Sequence, residues 1–185
     1  MAQPSTTEKY PWYDLVSGSE LQQGDILLKC PLLDMPLAAI DATGDPSIKI
    51  QTQNAIILTQ SCDLAIRDDR TCQAEQVVLC PIYLRDELKE DKTFGNPSGW
   101  EKARKGQAFA YHVLNKSDLP QYSFDYRLVD LGALFSLPVR LVRELAQEQG
   151  LRVRLNPPYR EHLSQAFARF FMRVGLPVDI PQFTS

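Results

Sequence analysis

The chain has 185 residues, of which 44% are hydrophobic and 23% charged, and its formal net charge is -3. That length suits one domain able to bury a core, and the composition is that of a globular protein, not a disordered or fibrous one. The negative balance excludes bulk attraction to nucleic acid or to an anionic membrane, so any such contact has to be local.

Charge is unevenly placed. Residues 1–70 carry five Lys/Arg against ten Asp/Glu, whereas residues 151–173 carry five Arg against one Glu. Residues 1–13 lack the apolar core and basic start of a secretion signal. No apolar run nears the roughly 20 residues of a membrane helix. The four cysteines, Cys30, Cys62, Cys72 and Cys80, include no Cys-x-x-Cys pair. Without an export signal they read as reduced thiols of a cytoplasmic protein.

Residues 1–21 read as an N-terminal tail, with Trp12 and Tyr13 as its pins to the body. After Gly24, Asp25–Cys30 is predicted to be a strand, closed by Pro31 and Pro36. Residues 34–52 read as a long loop or irregular hairpin arm. The run Ala55-Ile56-Ile57-Leu58 suits a strand buried on both faces. It delivers Thr59, Gln60, Ser61, Cys62 and Asp63 to its end. Gln76–Cys80 is a third strand, stopped by Pro81. Residues 85–107 read as a charged surface insertion in which Ser98 caps a helix from Gly99 to Lys105. Strands are expected over Phe109–Val113 and Tyr126–Leu131 from their alternation. A helix over 136–149 follows, with Ser136 as N-cap and Gly150 beyond its end. Leu151–Leu155 is a last strand, and 158–174 a last helix opened by Pro157 and Pro158. One barrel domain, 22–177, is thus expected, with mostly strands first and two helices late.

Three pieces of this order resemble the PemK/MazF-type toxin family: Gly24-Asp25-Ile26, the strand Ala55–Thr59 with its polar turn, and Val77-Val78-Leu79-Cys80-Pro81-Ile82. A fourth, Leu128-Val129-Asp130-Leu131 running to Arg140 and Arg143, is similar to that family's valine-aspartate strand and following helix. The resemblance covers roughly residues 22–145. It implies an α+β fold, a small SH3-like β-barrel with a C-terminal helical extension. The ribonucleases of that family place Arg-Pro before the second core strand and Thr or Ser after the proline-isoleucine pair. Here these positions hold Gln53-Asn54 and Tyr83. Without that arginine and hydroxyl, transesterification loses its main electrostatic support. The segment Pro157–Pro177 resembles the C-terminus of a set of bacterial proteins of unassigned activity that share the QSCDL-like turn.

Several constellations follow. Cys62 as a nucleophile needs a base, and only His112 and His162 exist; Asp63 beside it opposes thiolate formation. Cys62, Cys72, Cys80 and His112 lack the short ligand pair of structural zinc. On the final helix, Tyr159, Leu163, Ala166, Phe167, Phe170, Phe171 and Val174 share a core face. His162, Gln165, Arg169 and Arg173 form a stripe along its edge. With Arg152 and Arg154 on the preceding strand, that stripe suits an RNA backbone or another anion; a solvated, salt-bridged face is the plainer reading. Gln60, Ser61 and Asp63 suit a joint to Arg160 or Arg169 through a buried carboxylate–arginine pair. The sequence therefore reads as a binding or regulatory module of a bacterial defence or toxin–antitoxin-like system. Its partner is a protein or an RNA backbone, with no cofactor, no metal and no membrane, and a homodimer is compatible. The alternatives are a metal-independent endoribonuclease using Cys62, Asp63, His162 and Arg169, and a cysteine hydrolase.

Overall fold

The structure, a computed structural model, describes residues 10–34, 49–67 and 72–172. Its class is α+β. The main sheet runs in the order β2 (Ile26–Asp34), β3 (Lys49–Ile57), β4 (Gln76–Leu84), β8 (Arg127–Asp130), β5 (Tyr111–Leu114), with β9 (Phe135–Pro138) also on β4. All the pairings are antiparallel. Among the described residues this path stays open and does not close into a ring. Two hairpin-like pairs stand apart, β1 (Tyr13–Val16) with β10 (Arg152–Leu155), and β6 (Ser117–Leu119) with β7 (Tyr122–Phe124).

The apolar run before the QSCDL turn is buried on both faces, as its composition requires. Ala55 and Ile57 enter one core with Leu27, Val77, Leu79 and Val142. Ile56 and Leu58 enter the other with Ile82, Val129, Leu155 and Leu163. The two-residue period of a strand thus feeds two cores. Helix α3 (Val139–Gln149) covers the first with Val142 and Ala146. Helix α4 (Tyr159–Phe171) covers the second with Leu163, flanked by Tyr159, Ala166, Phe167 and Phe170. Phe171 departs from the expected core face and is 56% exposed. Val174 and Arg173 lie outside the described residues.

Both expected proline stops fail, for a reason of position. β2 runs through Pro31 to Asp34, and β2 is an edge strand, which can carry a residue without an N–H. β4 runs through Pro81 to Leu84. On one flank it pairs with β9 up to Leu79 and with β8 from Ile82, so Pro81 falls in the gap between two neighbours. The arm expected over 34–52 gives way at Lys49 to β3; its remainder lies outside the described residues.

Other boundaries move too. Asn96, not Ser98, caps α2 (Pro97–Arg104), accepting from the N–H groups of Ser98 and Gly99. The 85–107 segment is not all surface, because Phe94 and Ala103 build a small core with Leu128. Ser136 lies inside β9 and caps nothing. The tail expectation for 1–21 fails at β1. Tyr13 is buried and its hydroxyl donates to the Asn115 carbonyl at 2.6 Å. Trp12 stacks on Tyr159 with ring centres 3.6 Å apart, so it does pin the chain.

One ionic knot joins the two parts of the chain. Asp25 and Arg152 are both fully buried, and Arg152 Nε donates to Asp25 Oδ2 at 2.9 Å. Arg154 donates to both carboxylate oxygens. The remaining Arg152 donors meet the carbonyls of Gly18 and Glu20. Arg152 and Arg154 share one face of β10 because they are two residues apart, while Val153 and Leu155 face the core. Gly24 precedes the knot at φ +87°, where a Cβ would stand 2.9 Å from that of Leu155. Only glycine fits so close an approach in the left-handed region.

Asp25→Ala leaves a buried guanidinium without its counter-charge, and is expected to lower the unfolding free energy by about 3–5 kcal/mol. Urea denaturation measures it. Asp63→Ala serves as the comparison and should shift the midpoint little.

Candidate functional site

Two clefts flank α4. The larger, of about 610 Å³, lies between α4, the edge strand β5 and the end of α2. Its α4 wall presents His162, Gln165 and Arg169, spaced i, i+3 and i+7 on one side of the helix. The opposite rim carries Arg104 and Lys105. Trp12, Phe109, Tyr111 and Tyr126 supply four aromatic rings. No carboxylate stands among its described lining residues. In a chain of net charge -3, this cleft is locally cationic.

The cations are not equal. Arg104 and Lys105 share Glu101, at 2.7 and 3.2 Å, on the exposed side of α2. Arg169 has no carboxylate partner among the described residues, and its Nε reaches only the Gln165 carbonyl at 3.4 Å. Phe109 is 56% and Tyr126 39% exposed.

His112 lies on the floor of this cleft, opposite Val129 in the β5–β8 register. Its Nε2 is buried and has no hydrogen-bond partner. Burial first, then the positive charges of His162 and Arg169, push its pKa down to about 4. The ring is therefore neutral at physiological pH.

The smaller cleft, of about 460 Å³, opens on the other side of α4, where Ser164 and Phe167 line it. Gln60 and Asp63 of the QSCDL turn, with Gln73 and Gln76, complete its polar rim. The turn itself is a short helix, α1 (Ser61–Leu64). Ser61 Oγ accepts the Gln23 N–H at 3.1 Å, and Gln23 in turn takes the Ser164 hydroxyl bond. The expected joint between the turn and α4 therefore exists, but Gln23, Ser61 and Ser164 build it.

The carboxylate–arginine pairing expected at Asp63 is corrected. Asp63 has no ion pair among the described residues; its Oδ1 receives only a Cys62 thiol contact at 3.5 Å. Arg160 pairs with its neighbour Glu161 instead. The buried carboxylate among the described residues is Asp25, and it takes Arg152 and Arg154, in keeping with the plainer, salt-bridged reading of those arginines and not with an anion-binding surface. Arg152 is fully buried and Arg154 nearly so, and neither lines either cleft.

The four residues expected to act together do not meet. Asp63 lines the smaller cleft, His162 and Arg169 the larger, and Cys62 neither. Cys62 is exposed, while Cys30 and Cys80 are buried with pKa values pushed up to about 12 by burial. Among the described residues no three His, Cys, Asp or Glu side chains are grouped to hold a metal ion. No described helix is long and apolar enough to cross a membrane. Trp12, Arg104, Lys105, Phe109 and Tyr126 were missed as site residues, because they come from separate parts of the chain: the stretch before β1, the end of α2, and the residues just ahead of β5 and β8. The chain matches no known family profile and no curated protein.

His112 makes stability depend on pH with a definite sign. Between pH 4 and 6.5 the unfolded histidine binds a proton that the folded one does not. Stability therefore rises with pH across that window and falls as pH drops through it. His112→Gln should remove up to about one proton of linkage from the slope of unfolding free energy against pH.

Proposed function

We propose that the protein is a non-catalytic binding module whose larger cleft takes a single-stranded stretch of RNA. The observation that carries this reading is Arg169, a cation without a carboxylate partner among the described residues, lining a cleft together with aromatic rings and with no acidic residue among its described lining. Phosphates suit the cations, and bases suit the rings of Phe109 and Tyr126. Such a site grips backbone and stacked bases and reads little sequence.

The setting is a bacterial defence or toxin–antitoxin-like system, and the resemblance to PemK/MazF-type proteins supports it. The six-stranded sheet is then an opened relative of their small barrel, with β4 changing partners around Pro81. The positions of that family's catalytic residues serve structure here. Asn54 Oδ1 accepts from the Lys29 N–H at 3.1 Å, and Gln53 donates to the Ile82 carbonyl at 3.2 Å. This favours binding over cleavage, as does the separation of Cys62 and Asp63 from His162 and Arg169.

Fluorescence anisotropy with a labelled single-stranded RNA tests the proposal. Binding should weaken as salt rises, with a logarithmic slope of about -2 for three phosphate contacts. Arg169→Ala should lower affinity about tenfold and flatten that slope. Tyr126→Ala should cost about 1–3 kcal/mol through lost stacking. Arg160→Ala should change neither. Absence of binding, or binding indifferent to Arg169 and Tyr126, overturns the reading, and cleavage that persists in EDTA would make the module an enzyme.

A further inference from the structure

The smaller cleft has a chemistry opposite to that of the larger. Its only charged lining residue among the described ones is Asp63. That carboxylate has no ion-pair partner among the described residues, and its single polar contact is the weak thiol of Cys62. Its other oxygen has no hydrogen-bond partner among the described residues. The side-chain amides of Gln60 and Gln76 make no hydrogen bond to a described residue. Gln73 is already engaged, accepting from Arg67 at 2.8 Å from outside the cleft. Gln23 and Thr59 are engaged as well, through the Leu58 carbonyl and the Val78 N–H. Leu58, Val78 and Phe167 form the apolar floor. What remains without a hydrogen-bond partner among the described residues is therefore a carboxylate and two amides, which accept through their oxygens and also donate through their NH2 groups, beside an aromatic ring.

This set discriminates between ligand classes. An anion would face Asp63 with no cation among the described lining residues to receive it, which disfavours phosphates and nucleotides. A compact ammonium satisfies one acceptor well but does not span several. A guanidinium is planar, permanently charged and carries five donors in a fork. It pairs with a carboxylate, reaches flanking carbonyls and stacks on an aromatic face. We propose that the smaller cleft is a guanidinium-recognition site, in which Asp63 takes the ion pair, Gln60 and Gln76 accept the outer N–H bonds, and Phe167 stacks on the plane. The guanidinium comes from an arginine side chain of a partner protein or from a small free compound. The site is independent of RNA binding, since the two clefts share only the body of α4.

The experiment is an amide-detected NMR titration of the full chain with methylguanidinium chloride, and with methylammonium chloride at equal ionic strength. Saturable shifts confined to residues 58–64, 73–78 and the Gln60 and Gln76 side-chain amides are expected, with affinity in about the millimolar range. Methylammonium should bind several-fold more weakly. Asp63→Asn should lower the methylguanidinium affinity about tenfold or more while the remaining spectrum stays native. The double variant Gln60→Ala, Gln76→Ala should weaken it without removing the charge. A capped tripeptide with a central arginine and free agmatine complete the series. Tighter binding of the peptide assigns the site to a protein side chain, and tighter binding of agmatine assigns it to a small compound. Shifts that do not saturate, that survive Asp63→Asn, or that methylammonium reproduces in full overturn the proposal. RNA affinity measured on the same variants should stay unchanged, so failure here leaves the larger cleft untouched.

Discussion

The contact between Asp25 and the arginines of β10 holds the fold's two halves in one frame. Asp25 opens the main sheet beside Gly24, whereas Arg152 and Arg154 belong to the outlying pair β1–β10, 127 and 129 residues away in the chain. A fully buried carboxylate and guanidinium are costly to desolvate, and persist only where nearly every donor and acceptor is met. Here the carbonyls of Gly18 and Glu20 complete the set. The geometry of this knot sets where β10 ends, and so where α4 begins four residues later. Tyr159 in the first turn of that helix then stacks on Trp12, the residue just ahead of β1. The position of α4 against the sheet follows from contacts at its root.

From that root, α4 divides the surface chemistry of the molecule. Its buried Leu163 faces the core, and its two flanks face different clefts. One flank offers Arg169 among aromatic rings, the other borders Asp63 among amides, and neither has an ion-pair partner among the described residues. A single helix sorts the charges because residues 162, 165 and 169 recur on one side and 164 and 167 on the other. A protein of modest net negative charge can thus hold a local site for an anion and another for a cation without conflict. His112 shows the field of the first flank, since its ring is held neutral by burial and by the charges beside it.

Much of the framework was legible in the residues. The β-branched run 55–58 announced a strand buried on both faces, and the helical periods of α3 and α4 announced their core sides. The edge stripe of His162, Gln165 and Arg169 was legible as one side of the helix for the same reason, and that side lines the larger cleft. The prolines misled, because whether Pro31 or Pro81 ends a strand depends on which neighbour lies beside it, and that is a property of the sheet. Asp25 was hidden because a lone carboxylate ahead of an apolar strand looks the same whether its arginines lie across the fold or not at all. Arg152 and Arg154 showed the alternation of a strand, but not which of its faces met an acid. The aromatic rim of the larger cleft was illegible for a similar reason, being gathered from the N-terminus, the α2 turn and the start of β8.

The central claim is that a nucleic-acid strand lies between α4 and the rings across from it. Photocrosslinking a single-stranded RNA carrying 4-thiouridine, followed by mass spectrometry of the peptides, locates the strand directly. The crosslinks should fall on Trp12, Phe109 and Tyr126, and be competed away by unlabelled RNA. Crosslinks concentrated on the QSCDL turn, or spread over the surface without competition, would contradict it.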